Sequence, residues 1–303
     1  MEPPVVAAPD YPAVPSTPPL VLGPIAIVRI ALRLGMIALA LLVCVPLHYA
    51  YRVIAYGSPL PKLFLFLTTR IVGARLKVFG TPLRRDVFFI ANHMSWVDIP
   101  ALAGSSGTAF VAKAEIAKAP ILGWLCRLNR TVFVQREARL NVAEQINSVR
   151  EALADNWSIT VFPEGTTTDG WSLLPFKSSI LKVLDPPPAG ILVQPVVLDY
   201  GPASEWIAWV GVEPGLDNAL RILSHPGSFE LRVHYLEPFA PQEIGGRKAI
   251  AAEARRRIEA ALVTIRGLPL RPFALSVDAV GYAAPAGSGE QEPADPAPSV
   301  PTS

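Results

Sequence analysis

The chain contains four histidines, and their neighbours decide which of them can move a proton. His48 lies inside a long apolar run, His225 in a Ser-His-Pro-Gly turn, and His234 on the polar face of an alternating segment. His93 is placed differently, in the string Asn92-His93-Met94-Ser95-Trp96-Val97-Asp98 directly after the apolar run Val87–Ala91. Five residues of unbroken helix rotate a side chain by ~500°, which would leave His93 and Asp98 ~140° apart. The two meet only if His93 precedes the helix. Ser95 is a good N-cap, and Asp98 would then be the third helical residue of a Ser-x-x-Asp capping box, with His93 in the turn outside it. There the carboxylate accepts from one imidazole nitrogen and fixes the tautomer, so that the other nitrogen takes a proton from a substrate hydroxyl. A hydroxyl activated in this way attacks a thioester carbonyl directly, with no protein nucleophile. A plain capping box beside a turn histidine has the same spacing.

The elements that must hold this pair alternate between short apolar runs and longer helical stretches. Val87–Ala91, Ala109–Ala112, Thr131–Val134, Ile159–Phe162 and Ile191–Leu198 read as buried strands. Ile99–Ala103, Ile116–Arg127 and Ala138–Ala154 read as the helices between them, and Arg247–Arg266 as a basic amphipathic helix. The alternation predicts an α/β domain with a mostly parallel sheet flanked by helices. Phe229–Tyr235 alternates apolar and polar residues, as an edge or half-exposed strand does.

The balance of 27 basic against 25 acidic residues argues against wholesale nucleic-acid binding. Mean hydropathy of +0.36 is high for a soluble domain and low for a multi-span transporter, so the apolar excess should sit in one or two segments. Leu34–Tyr51 is such a segment, 18 residues without a formal charge, bracketed by Arg29 and Arg33 before it and Arg52 after it. As a helix it extends ~27 Å, close to the ~30 Å of a hydrocarbon core. A cleavable signal peptide is the competing reading, weakened by the late start and the lack of a small-residue cleavage site. Lys62–Lys77 mixes bulky apolar residues with cations and reads either as an interfacial helix or as a packing helix of the domain. Residues 25–80 are therefore expected to anchor the chain to a membrane. Residues 1–24 and 283–303 hold 13 of the 32 prolines and read as disordered tails. Cys44 and Cys126 form neither a disulfide framework nor a CxxC metal knuckle, which fits a reducing compartment, and no metal site is inferred.

The string NHMSWVD, followed about seventy residues later by VFPEGTTTDG, closely resembles the glycerolipid acyltransferase family, whose best-known members are the 1-acylglycerol-3-phosphate acyltransferases. Four blocks match in family order between Val87 and Leu198. The resemblance implies an acyltransferase domain over residues 81–275, its active site facing the bilayer behind an N-terminal membrane helix or hairpin. It implies His93 and Asp98 as base and orienting acid, Arg136 at the lysolipid head, and Glu164, Gly165 and Thr166 lining the acceptor site. Pro195, in the fourth block, would touch the acyl donor. It further implies a lysolipid acceptor and, in place of a cofactor, acyl-CoA or acyl carrier protein as co-substrate. The location implied is the cytoplasmic face of a bacterial inner membrane.

Physical reasons accompany each block. Gly165 permits positive φ, so the amides of Gly165, Thr166 and Thr167 could form an anion-binding concavity. Glu164 cannot bind a phosphate and would accept a hydroxyl or orient Arg136. Val111–Leu140 carries six basic residues, among them Lys113, Arg127, Arg130 and Arg136, against two acidic ones. That surplus suits an anionic head or an acyl carrier. Lys177 points either into the acceptor groove or to solvent. Arg130 stands where many members have glycine, and Thr167 where lysophosphatidate-specific members often have arginine. TTTDG with LPFKSS, and LNRTVFVQR, look similar to the branch that acylates lyso-ornithine lipid, but Arg130 could replace the missing cation, so the resemblance leaves both lysophosphatidate and lyso-ornithine lipid as acceptors. A hydrolase using the same site and an inactive lipid-binding member are the rival readings. The lack of a GxSxG elbow lowers the first, and the intact blocks lower the second.

Overall fold

In the computed structural model, which describes residues 20–55, 57–134 and 158–273, two N-terminal helices precede a seven-stranded sheet. The apolar run is the middle of helix α1 (Pro24–Ile54), long and apolar enough to cross a membrane by length and composition. Pro24 opens this helix, and so lies outside the tail expected for residues 1–24. Helix α2 (Leu60–Ile71) follows, and then strand β1 (Ala74–Phe79). The single helix expected over Lys62–Lys77 is thus corrected to a helix and a strand. Gly73, at φ 103°, ends the helical path, and β1 beyond it pairs with a distant strand.

The remaining strands are β2 (Val87–Ala91), β3 (Ala109–Lys113), β4 (Val132–Val134), β5 (Ile159–Val161), β6 (Leu192–Asp199) and β7 (Phe229–Tyr235). They lie in the order β1-β7-β6-β2-β5-β3-β4, with every neighbouring pair parallel except β6 and β7. β7 alternates between buried and half-buried residues as expected, but it is an interior strand, because β1 covers its outer side.

Helices α3 (Asp98–Ser106), α4 (Pro120–Leu128), α5 (Ser204–Ile207), α6 (Gly215–Ser224) and α7 (Arg247–Arg266) complete the described elements, with short 3-10 turns between them. The helix expected over Ile116–Arg127 divides at Pro120, which lacks the amide needed to continue the preceding 3-10 turn (Ala114–Lys118) and instead opens α4. The helix expected over Ala138–Ala154 lies outside the described residues. α6 was not anticipated.

Because strand side chains alternate, β2 feeds two cores. Val87, Phe89 and Ala91 pack with Leu102 of α3 and Val196 and Leu198 of β6, whereas Phe88 and Ile90 pack with Val193 and Val197 and with the α7 stripe Ile250, Ala254, Ile258 and Leu262. α1 lays a stripe that includes Ile30, Arg33, Cys44 and His48 against the rest of the protein. Arg33 donates to the carbonyls of Ile222 and Leu223 at 3.1 and 3.0 Å, and Arg29 donates to that of Ser224. These are the unsatisfied carbonyls at the C-terminus of α6, where a cation is favoured.

α2 packs on α3 at a point where Gly104 has no room for a side chain. A Cβ there would lie 2.8 Å from the Cα of Phe66. Gly104→Leu is therefore expected to lower stability by about 1–3 kcal/mol, the usual cost of overpacking, read as a fall in thermal midpoint of the detergent-solubilised protein. An unchanged midpoint would show that the two helices separate freely.

Candidate active site

Three neighbouring strands, β5, β2 and β6, end at the same edge of the sheet, and the chain leaving each carries part of the site. Ligand sites in open α/β sheets form at such carboxyl ends. Asn92, leaving β2, extends the sheet with its side chain: its Nδ2 donates to the Leu198 carbonyl at 3.0 Å, and its Oδ1 accepts from the Leu198 amide at 2.8 Å. This pairing fixes where the next residue, His93, stands.

His93 Nδ1 lies 2.7 Å from Asp98 Oδ2. The same oxygen accepts from the amides of Met94 at 2.7 Å and Ser95 at 2.9 Å. The capping expectation is met in part. Asp98 does reach back to the Ser95 amide, but the helix begins at Asp98 with Val97 as its N-cap, and the Ser95 hydroxyl accepts from Val97 rather than from Asp98. Residues 95–98 form a turn because the carboxylate gathers the amides of Met94 and Ser95 together with the imidazole. The His93 side chain is 17% exposed and that of Asp98 fully buried, so one partner faces the outside and the other is held in the interior. Nε2 of His93 makes no hydrogen bond to a described residue.

The FPEGT segment clamps His93 from the other side. The His93 amide donates to Glu164 Oε1 at 2.9 Å, its carbonyl accepts from the Thr168 amide at 2.8 Å, and its ring stacks on Phe162 with centroids 4.0 Å apart. Glu164 Oε2 accepts from the Leu174 amide at 2.9 Å. Both Glu164 oxygens therefore hold backbone amides, while Arg136, the partner expected from sequence, lies outside the described residues. Burial pushes its carboxyl up to about 8, against the opposing pull of the two amides.

Gly165 has the positive φ foreseen for it, 78°, but its amide donates to the Phe162 carbonyl in a turn and is not part of an open concavity. The amides of Thr166 and Thr167 donate to no described residue. The Thr167 hydroxyl donates to the Trp209 carbonyl, so the position where an arginine was looked for holds a buried threonine tied to the scaffold. Lys177, exposed overall, lies over Gly165: a Cβ on that glycine would be 2.9 Å from the Lys177 ammonium. Gly170 seats Met94, whose Cε would lie 2.3 Å from an added Cβ.

Other expected residues are more scattered. Arg130 is exposed, at φ 58°. Arg136 lies outside the described residues. Pro195 is buried in β6 opposite Ile90; its carbonyl accepts from the Leu236 amide just past β7 at 2.9 Å, and the Leu236 carbonyl, left without an amide from residue 195, accepts from Gln194 Nε2 at 2.9 Å. No group of three metal-ligating side chains occurs among the described residues. Sequence reasoning missed Tyr200, whose hydroxyl donates to Asp98 Oδ1 at 2.5 Å. The available signal was its position, a polar aromatic just past a buried strand. It also missed Asp169, which accepts from the Trp171 and Ser172 amides and pairs with Arg271 at 2.8 Å, bracing the loop after FPEGT.

The assembly is a carboxylate-oriented imidazole whose second nitrogen is open, beside a loop with two uncommitted amides and one lysine. Such a set can accept a proton from a hydroxyl and shelter a developing negative charge. Residues 75–199 match the family described as Acyltransferase. The lyso-ornithine lipid O-acyltransferase of Rhizobium meliloti is 32% identical over 217 residues, covering 66% of this chain and 73% of that protein. The enzyme of the same name from Rhodobacter capsulatus is 30% identical over 252 residues, covering 77% of this chain and 90% of that one. The crystal structure of the 1-acyl-sn-glycerophosphate acyltransferase from Thermotoga maritima superposes with a TM-score of 0.59 at 21% identity, covering 78% of this chain and 95% of that chain. That likeness shows the shared fold. On the strength of these matches, this chain belongs to the acyltransferase family.

Proposed function

We propose that the protein transfers an acyl chain from a thioester, acyl-CoA or acyl carrier protein, to the free hydroxyl of a lysolipid at a membrane surface. The observation that carries this reading is the 2.7 Å contact between His93 Nδ1 and the buried Asp98, which leaves Nε2 open. His93 Nε2 takes the hydroxyl proton as the lipid oxygen attacks the thioester carbonyl. The tetrahedral intermediate then collapses with loss of the thiolate, which recovers the proton from the imidazolium. Asp98 keeps the proton on Nδ1 throughout and stabilises the transient cation. The amides of Thr166 and Thr167 are the candidates for holding the oxyanion. Lys177, Arg130 and Arg136 are the candidate cations for the lipid head.

Lyso-ornithine lipid is the acceptor we favour over lysophosphatidate. Thr167 supplies no cation for a phosphate, and the Rhizobium and Rhodobacter relatives, which cover 66% and 77% of this chain, carry the lyso-ornithine name. The test supplies one labelled acyl thioester with lyso-ornithine lipid, with lysophosphatidate, or with water alone, and resolves the products by mass spectrometry. The expected result is diacyl ornithine lipid at a rate at least tenfold above that with lysophosphatidate. A preference for lysophosphatidate would overturn the acceptor. Mainly free fatty acid would make the protein a hydrolase, and inactivity across the panel would make it a binder.

We infer that α1 lies along the bilayer rather than across it. Its buried stripe runs from Ile30 to His48, so the protein flanks most of the helix, while Ile27, Leu32, Leu39, Leu42 and Leu47 on its other sides are exposed. Thioester donors are cytosolic, which favours the cytoplasmic face.

A further inference from the structure

We propose that Tyr200 is a positioning residue for acyl transfer, its hydroxyl holding Asp98 Oδ1 so that Oδ2 remains aligned on the His93 imidazole. The proposal rests on the His93 and Asp98 reading above. Four donors converge on the Asp98 carboxylate, and they divide unequally: three on Oδ2, from His93 Nδ1, Met94 N and Ser95 N, and the Tyr200 hydroxyl on Oδ1. Those on Oδ2 come from one stretch of chain, the turn that Asp98 itself closes. Tyr200 comes from the carboxyl end of β6, across the sheet. It is therefore the contact that ties the orientation of the carboxylate to the rigid scaffold and not to the turn alone.

A buried tyrosine needs a partner for its hydroxyl, so the bland reading is that Asp98 simply satisfies Tyr200. Two features go beyond that. The distance, 2.5 Å, is that of a charge-assisted O–H···O bond. The partner is also a neutral donor where a buried carboxylate would ordinarily take a cation. An arginine or lysine at Oδ1 would compete with the imidazolium for the charge of Asp98, whereas a tyrosine orients the carboxylate and leaves it an anion. Burial and the neighbouring Asp98 charge keep the phenol protonated, its pKa well above the ordinary tyrosine range, so it remains a donor at any working pH. The ring is anchored independently, in the core beside Phe229 with centroids 6.0 Å apart, so the hydroxyl can be removed without removing the packing.

Without that hydroxyl, Oδ1 is a buried carboxylate oxygen with no partner among the described residues. The carboxylate then gains by rotating to share its donors between both oxygens, which weakens its hold on Nδ1. The imidazole loses its enforced tautomer, and part of the population carries the proton on Nε2, where it cannot act as a base.

The experiment is Tyr200→Phe in the full-length enzyme, with three readouts. Turnover is expected to fall 10- to 100-fold with KM for thioester and lysolipid unchanged within twofold. Spectra of protein labelled with 15N-histidine are expected to change from a single Nδ1–H form of His93 to a mixture of tautomers. In an Asp98→Asn background, Tyr200→Phe should cost nothing further, because the group it acts through is gone. Turnover within twofold of wild type, an unchanged His93 tautomer, or a full additional loss in the Asp98→Asn background would each overturn the proposal. Should Tyr200→Phe not fold, Tyr200→His, whose shorter ring does not reach Oδ1, is held to the same outcomes. His93→Ala separates this proposal from the reading beneath it. If that variant is inactive and Tyr200→Phe is not impaired, Tyr200 alone is dismissed; if His93→Ala retains turnover, the base assignment itself is wrong.

Discussion

His93→Ala is expected to lower the rate of acyl transfer by about 10³-fold or more, at the upper end of what a general base contributes, while the protein stays folded and membrane-associated. The expectation of a purely chemical defect follows from what surrounds the ring. Asp98 keeps three donors after the imidazole is lost, the Met94 and Ser95 amides and the Tyr200 hydroxyl, so no buried charge is orphaned. The backbone of residue 93 keeps its bonds to Glu164 and Thr168, because neither involves the side chain. What disappears is the stacking on Phe162 and the one open nitrogen. Initial rates with a labelled thioester, beside circular dichroism and co-sedimentation with vesicles, decide the matter. Turnover near that of wild type would remove His93 from the chemistry. Loss of fold or of membrane association would show that the ring is structural.

Much of this site was legible in the sequence, and the parts that were not share a cause. The pairing of His93 with Asp98 was open to local reasoning, because both partners lie in one turn outside a regular helix, although spacing fitted a plain capping box equally and the resemblance carried by NHMSWVD chose between them. The strands were legible for a similar reason: β2 and β6 are buried on both faces and read as continuous apolar runs. β1 was not, because its inner residues are spaced by arginine and lysine and its helix-like predecessor runs directly into it. The backbone contacts of Glu164 were hidden for the opposite reason. A carboxylate beside a glycine turn suggests a ligand, and only the three-dimensional course of the chain brings the amides of His93 and Leu174, from 71 residues before it and 10 after it, onto its two oxygens. Tyr200 stands 102 residues from Asp98, and nothing in the spacing of the two announces the contact. Local geometry was readable; bonds made across the sheet were not.

Glu164→Gln is expected to cost about 10²-fold in turnover and about 1–3 kcal/mol in stability, although the change removes a single buried oxygen acceptor. The carboxyl accepts from the His93 amide through one oxygen and from the Leu174 amide through the other. An amide side chain offers one acceptor and one donor group, so one of the two backbone amides must face an NH2 group. If that amide belongs to His93, the base shifts. If it belongs to Leu174, the loop that frames Glu164 shifts with it. The same substitution exposes a titration. Burial pushes the Glu164 carboxyl from 4.5 up to about 8, so between those values the folded chain holds a proton that the unfolded chain has released. Its contribution to stability is fully present below about pH 4.5 and is lost as the pH rises through about 8, a downward slope with increasing pH. In Glu164→Gln that slope should flatten while the overall stability drops, a pair of changes read from denaturant midpoints at pH 5, 6.5 and 8. An identical slope in the variant would show that Glu164 is ionised throughout and that the two amides alone hold its charge in the interior.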